Sequence, residues 1–299
     1  MFSPASATFL LLCSIAAAGC GGPGGATCTT HDECASGFCK TDGTCGPADV
    51  DAAPGGDAPT DGTSGLCTPD HDGMITAGEL PLIAGKMATF RVAIDATFDT
   101  TGTAGSGGVR SWNLAGQLAG DADRPIALLA PAGTWWAARF PTASYATPLS
   151  AELDLLGVFR IDASAVTLLG VVSPAGGAAR TELAYEPPAR ILALPFGRTS
   201  TWTSTSTVTG TAQGFLVAYT EKYTSVVDQG GMMETPYGAF PVVRIATDLT
   251  RTSGFTTLLT KRTFAWVAEC FGSVATAASQ DFEAAAEFDD PAEVRRLAP

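Results

Sequence analysis

The chain has 299 residues, a net charge of −13 and only 16% charged residues, with a positive mean hydropathy. Such a composition allows a sizeable core and excludes wholesale disorder. The acidic balance argues against nucleic acid, whose phosphates call for clustered Lys and Arg, and against electrostatic docking on anionic lipid.

Residues 1–20 read MFSPASATFLLLCSIAAAGC. The apolar run from Ala7 to Ala18 is too short to span a bilayer and has the length of a signal-peptide core. Ala16, Ala17, Ala18 and Gly19 then lead into Cys20. This pattern resembles the lipobox of bacterial lipoproteins, although no Lys or Arg precedes the apolar run. The resemblance implies removal of residues 1–19 and acylation of Cys20, which would tether the chain to a lipid bilayer. Several acyl chains together hold a protein stably, at about 0.8 kcal/mol per buried CH₂. Gly21 rather than Asp follows the cysteine, which points to the outer membrane. The alternative is an ordinary secretory signal with Cys20 as a spare thiol.

Residues 20–27 form a Gly-rich spacer. Cys28, Cys34, Cys39 and Cys45 follow in a C-x5-C-x4-C-x5-C segment, residues 28–45. A segment this short cannot bury a core, so two disulfides are expected to replace one, with three connectivities open. It is similar to the cysteine-rich segments of many bacterial surface lipoproteins. Zinc on these thiolates with His31 is the rival reading, but the close C-x2-C pairs of structural zinc sites are absent. Residues 46–66 are Asp, Ala, Pro, Gly and Thr almost throughout, the composition of a disordered acidic linker. The compact domain is expected over residues 67–299. Cys67 and Cys270 remain for each other, or as two unpaired buried thiols.

Residues 68–79, TPDHDGMITAGE, resemble an EF-hand calcium loop. Asp70, Asp72, Gly73 and Glu79 take the positions of two oxygen ligands, the sharp turn and the bidentate carboxylate. Thr68, the Met74 carbonyl and Thr76 complete the implied set. Thr68 stands where the first Asp belongs, and Pro81 leaves no room for an exit helix. The resemblance therefore implies weak calcium binding at most; a turn held by Asx hydrogen bonds is the alternative.

From Lys86 onward period-two alternation dominates. Phe90, Val92 and Ile94 share one face of MATFRVAID. GVRSWNL, GTWWAARF, FRIDASAVTLLGVV, RILALPF, GRTSTWTSTSTVTG, GFLVAYTEKYTSVVDQ, FPVVRIATDLTR, TTLLTKRTFAWVAE and GSVATAAS continue the series of strands. A short helix is expected over Thr147–Leu156. Residues 281–297 are expected as a second helix, or as a last strand DFEAAAEF ending at the DDPAEV turn. The fold class is mainly β: a large curved antiparallel sheet or half-barrel with one or two short helices, preceded by the disulfide-rich segment.

Glu234–Phe240 (ETPYGAF) and Trp266–Val274 (WVAECFGSV) resemble a hairpin and a strand pair of lipoprotein-carrier-like periplasmic proteins, with Cys270 in place of a glycine. In that family a bent sheet cradles apolar ligand or lipid. The resemblance implies a non-catalytic binding module with Trp135, Trp136, Phe215, Tyr219, Phe240 and Trp266 as lining; plain core packing is the alternative for each. A structural or adhesive envelope protein that docks other proteins is the second functional reading. The two histidines, His31 and His71, lie outside the β-rich strands, so no Ser-His or Cys-His pair can be built there, and no enzyme is expected.

Overall fold

Alternating apolar side chains bury one face of a strand, and here they bury it inside a strongly curved sheet. The computed structural model describes residues 67–299. Cys20 and its lipobox, Cys28, Cys34, Cys39, Cys45 and the acidic linker lie outside the described residues. The strands are β1 (Met74–Ile75), β2 (Met87–Ile94), β3 (Thr103–Ala104), β4 (Arg110–Asn113), β5 (Ala122–Ala127), β6 (Tyr145–Pro148), β7 (Leu156–Asp162) and β8 (Ala165–Val172). They continue as β9 (Glu182–Ala193), β10 (Phe196–Gly197), β11 (Thr201–Ala212), β12 (Phe215–Glu234), β13 (Ala239–Ser253), β14 (Thr256–Ala268), β15 (Gly272–Ala278) and β16 (Glu293–Leu297).

Twelve of them form one antiparallel path, β5-β2-β16-β15-β14-β13-β12-β11-β9-β8-β7-β6. The path nearly closes on itself. Leu129, just past β5, exchanges two backbone hydrogen bonds of 2.7 and 2.9 Å with Ala146 of β6. The β12 strand runs for 20 residues as one bent strand, irregular between Val227 and Gln229 where its register with β13 shifts. Its end pairs in parallel with β4. Only glycine fits there: a Cβ on Gly231 would stand 1.8 Å from the Arg110 carbonyl oxygen.

Three apolar clusters explain the curvature. The inner face holds Tyr145, Phe159, Val166, Leu168, Leu183, Tyr185, Trp202, Val208, Val227 and Ile245, drawn from β6–β9 and β11–β13. The segment Ile75–Ala84 stoppers one end of this core with Ile75 and Leu80. The outer face of β12–β16 is covered by residues 96–118 and Phe288, which lay Phe98, Trp112 and Leu114 on Phe264 and Trp266. Trp136 and Phe140 cover the outer face of β6–β9. The β8 strand, buried on both faces, accordingly reads as an unbroken apolar run, AVTLLGVV.

Several local expectations are corrected. Among the described residues the only helical turns are two 3-10 turns, Ala77–Glu79 and Ser106–Gly108. Thr147–Leu156 is not a helix, because Tyr145–Pro148 is claimed by pairing with β7 and the chain turns straight back. Residues 281–292 are neither helix nor strand; Phe282 sits at φ +61°, and the strand is β16, held between β15 and β2. GTWWAARF is not a strand either. Successive i→i+3 bonds, Ala137 N–H to Thr134 O (3.3 Å) and Phe140 N–H to Ala137 O (3.2 Å), bring Trp136 and Phe140 onto one side, where β6–β9 need cover.

Two tethers hold the outer cover and the stopper. Cys67 and Cys270 form the expected disulfide, with Cα atoms 5.4 Å apart and a sequence separation of 203. In the chain-entropy account, a loop of that length stabilises by about 5 kcal/mol. Cys270 adopts φ +66°, the left-handed turn conformation that makes glycine the usual occupant. The second tether is Arg244 of β13, fully buried on the outer face. Its Nε and Nη2 donate to Asp228 (3.0 and 2.6 Å), Nη1 and Nη2 to Glu287 (2.9 and 2.6 Å), and Nη1 to the Thr100 carbonyl (2.7 Å). All five guanidinium N–H groups are thereby used, and the plane lies 4.2 Å over the Phe264 ring. Burial opposes the charge, yet Asp228 and Glu287 outweigh it and raise the Arg244 pKa. Arg244→Met is therefore expected to lose about 3–5 kcal/mol by stranding two carboxylates. Thermal unfolding of the variant is expected to come about 10 °C earlier or more, while Arg91→Met, on an exposed pair, changes little.

Candidate functional site

Two places gather polar and aromatic side chains. The first is inside the barrel. Successive inward residues of β12 are Tyr219, Glu221, Tyr223, Ser225 and Val227, facing Arg251, Leu249, Thr247 and Ile245 of β13 in register. Glu221, fully buried, accepts from Tyr223 Oη (2.6 Å) and from Arg251 Nε (2.8 Å), with Arg251 Nη2 ion-paired to it at 2.7 Å. Arg251 also stacks 4.6 Å over Tyr219. Burial drives the pKa values of Tyr185 and Tyr223 far up, and the Glu221 charge pushes the same way. Burial alone raises Tyr145, and it leads for Tyr219 too. The cluster is a largely satisfied polar core, although Ser206 of β11, opposite Glu221, keeps a buried Oγ without a partner.

The second place is a cleft of about 470 Å³ at the stoppered end. Three turns build it. The loop before β1 gives Pro69, His71 and Gly73; the β12–β13 turn gives Tyr237, Gly238 and Phe240; the β14–β15 turn gives Glu269 and Phe271. The TPYG turn is set by Thr235, whose Oγ1 accepts from Tyr237 N–H (3.2 Å), while Gly238 N–H closes on the Thr235 carbonyl (3.1 Å). Tyr237 and Phe271 are exposed. Their rings and that of Phe240 lie 4.8–6.4 Å apart, a three-ring wall. Polar groups meet on one rim only. There Glu269 accepts from His71 N–H (3.1 Å) and faces its Nδ1 at 3.4 Å. Carboxylate oxygens of Asp70, Asp72 and Glu269 lie within 4.8 Å of one another. A second groove of about 690 Å³ shares Gly73 and Pro241–Val243 and runs on to Met232, Arg110 and Arg198.

The calcium-loop residues divide. Asp70 and Asp72 accept Asx-type bonds from Asp72 N–H (3.1 Å) and Met74 N–H (2.7 Å). Met74 belongs to β1, paired with Gly197 of β10. Glu79 turns back on Thr76, accepting from its N–H and Oγ1 (both 2.8 Å), instead of facing Asp70 and Asp72. Thr68 stays exposed. Glu269, which does join the two aspartates, was missed because it lies 198 residues from His71 and no local motif marks it.

The six aromatics expected to line one concave face are dispersed. Tyr219 alone belongs to the inner polar cluster, and Phe240 to the cleft. Trp266 is fully buried beneath the outer cover, Trp136 beneath its own loop, and Trp135 lies under Arg180 with its Nε1 on the Ser173 carbonyl (3.1 Å). Phe215 is at a hairpin tip. Tyr237 and Phe271 went unmarked in the sequence, although both flank the turns on which the carrier-like resemblance rested. Comparison with protein-family models, curated proteins and solved structures found no match.

A raised tyrosine pKa favours the neutral form in the folded state, so stability is complete below the unfolded value, about 10, and falls as pH climbs above it. With Tyr145, Tyr185, Tyr219 and Tyr223 all raised, an ultraviolet titration is expected to show most phenols un-ionised until the protein unfolds. The melting temperature is expected to drop steeply above a pH of about 10.

Proposed function

We propose that this chain is an exported lipoprotein, acylated on Cys20 and held in the outer membrane, whose barrel-like domain is a non-catalytic binding module for an apolar ligand. The cleft at the stoppered end carries the reading. Its volume falls in the range of small-molecule sites, about 300–1,000 Å³, and such sites are apolar with a few convergent polar groups. Tyr237, Phe240 and Phe271 supply the apolar wall, and His71 with Glu269 the polar rim. An elongated ligand fits best: its apolar chain lies along the three rings, and a hydrogen-bonding or cationic head meets Glu269. The inner face serves as packed core rather than as the pocket, because its own aromatics and the Glu221 cluster occupy it.

Two measurements test the two parts. The anchor predicts that wild-type chain partitions with the membrane fraction and carries acyl mass, and that Cys20→Ala is released in soluble form. The cleft predicts that the Cys20→Ala chain, purified from an oxidising compartment, shows an added mass in native mass spectrometry matching a phospholipid with an amine-bearing head. Phe271→Ser, at an exposed ring, is expected to lose that mass and keep its melting temperature. A bare mass after lipid is offered would end the ligand reading and favour a structural or protein-docking role.

A further inference from the structure

The long strands have a second end. The β12–β13 and β14–β15 turns form the cleft, so the β11–β12 and β13–β14 hairpin tips lie at the opposite end of the same strands. Both tips are apolar and fully presented. Phe215 is 76% exposed and Leu216 88%; Phe255 is as exposed as an isolated residue, and Leu258 is 45% exposed. Counted outward from the pair Thr220↔Thr252, Phe215 lies five residues along and Phe255 three. At about 3.3 Å per residue the two tips end within roughly 7 Å of one level. The register slips between Arg251 and Thr252, leaving Leu258 as the extra residue without a cross-strand partner.

The charge pattern selects the partner. Residues 199–220 and 252–260 contain no Asp, Glu, Lys or Arg, and the neighbouring loop 173–179, tied in by Gly214 N–H to the Arg180 carbonyl (3.3 Å), contains none either. At and just below the tips the charges that reach solvent are of both signs: Arg180 pairs with Glu182, which is level with Leu216 through Thr211, and Asp281 and Glu283 flank Phe282 beside Thr260. Arg251, Lys222 and Lys261 follow in three successive rows of the sheet, with Glu221 buried among them. Arg251 is met by Glu221 and Lys261 by Asp281 (3.1 Å); Phe282 extends the apolar surface beside Thr260, flanked by Asp281 and Glu283. Convex tips cannot enclose a small molecule. Projecting Phe and Leu above an uncharged, hydroxyl-rich collar and a belt of paired charges of both signs match the layers of a bilayer from its interior outward: acyl chain, glycerol, zwitterionic headgroup.

We infer that the paired hairpin tips dock on a lipid bilayer, seating Phe215, Leu216, Phe255 and Leu258 among the acyl chains. This contact is separate from the Cys20 anchor and from the cleft. The test uses the full chain with Cys20→Ala, so that no covalent lipid contributes, and phosphatidylcholine vesicles. The parent is expected to co-sediment, and Phe215→Ser/Phe255→Ser to lower the partition coefficient at least about tenfold with an unchanged circular-dichroism melt. Phe255→Trp is expected to shift its emission to the blue on adding vesicles and to be quenched by brominated acyl chains. Phe271→Ser, which disables the cleft, is expected to partition like the parent, so failure of the ligand reading and failure of this one are told apart. A parent that does not partition, a double variant that partitions equally, or an emission from the Phe255→Trp chain that vesicles leave unshifted would overturn the inference. So would sedimentation velocity showing that the tips join two copies of the chain without any vesicle binding.

Discussion

Arg244 holds a full positive charge where water does not reach, and much of the outer structure is organised around satisfying it. Its five N–H groups meet Asp228 at the irregularity in β12, Glu287 in the long connection before β16, and the Thr100 carbonyl in the segment over the outer face. These three come from parts of the chain that share no strand. Thr100 is itself fully buried, accepts from Phe288 N–H (3.0 Å) and presents its carbonyl to Trp112 Nε1 (2.9 Å). Removing the cation would leave two part-exposed carboxylates, Asp228 and Glu287, facing each other beside Phe264 without a counter-charge. Arg296, also fully buried, is only partly satisfied: Nη1 donates to the Gly116 carbonyl (3.1 Å) and Nη2 to Asp121, while Nε has no partner.

This arrangement decides where function can lie. A sheet with one face packed inward and much of the other clamped under loops has little free face to offer. What remains are its ends. At one end three turns converge because antiparallel neighbours place the β12–β13 and β14–β15 connections side by side, and the Cys67–Cys270 disulfide brings the entry loop against them. At the other end the hairpins project beyond the shorter strands, leaving Phe215 and Phe255 uncovered. One end is concave and mixed in polarity; the other is convex, with uncharged apolar tips. Their chemistry differs because of shape more than of composition.

Much of the architecture was legible in the chain. Val, Thr and aromatic alternation marks β2 and β11–β15, the apolar run AVTLLGVV marks β8, and the turn residues mark their joints. Elimination among the cysteines pointed to the Cys67–Cys270 bridge. The segments that misled are those whose conformation is set by what they must cover. The GTWWAARF stretch has the composition of a strand, yet its two buried rings serve as a lid. Thr147–Leu156 has acids and a proline placed for a helix start, yet strand pairing with β7 claims its first residues.

By itself the sequence determined the periodicity, hence the β class, the turns and the stretches free of charge, because each depends on neighbours a few positions apart. Tertiary structure alone decided that the sheet nearly closes, which of Tyr219, Phe240 and Trp266 faces inward, outward or into a cleft, and that Glu269 joins Asp70 and Asp72. Those outcomes depend on contacts across many strands. An alternating pattern states that two faces differ, while only the assembled sheet establishes which face is inside.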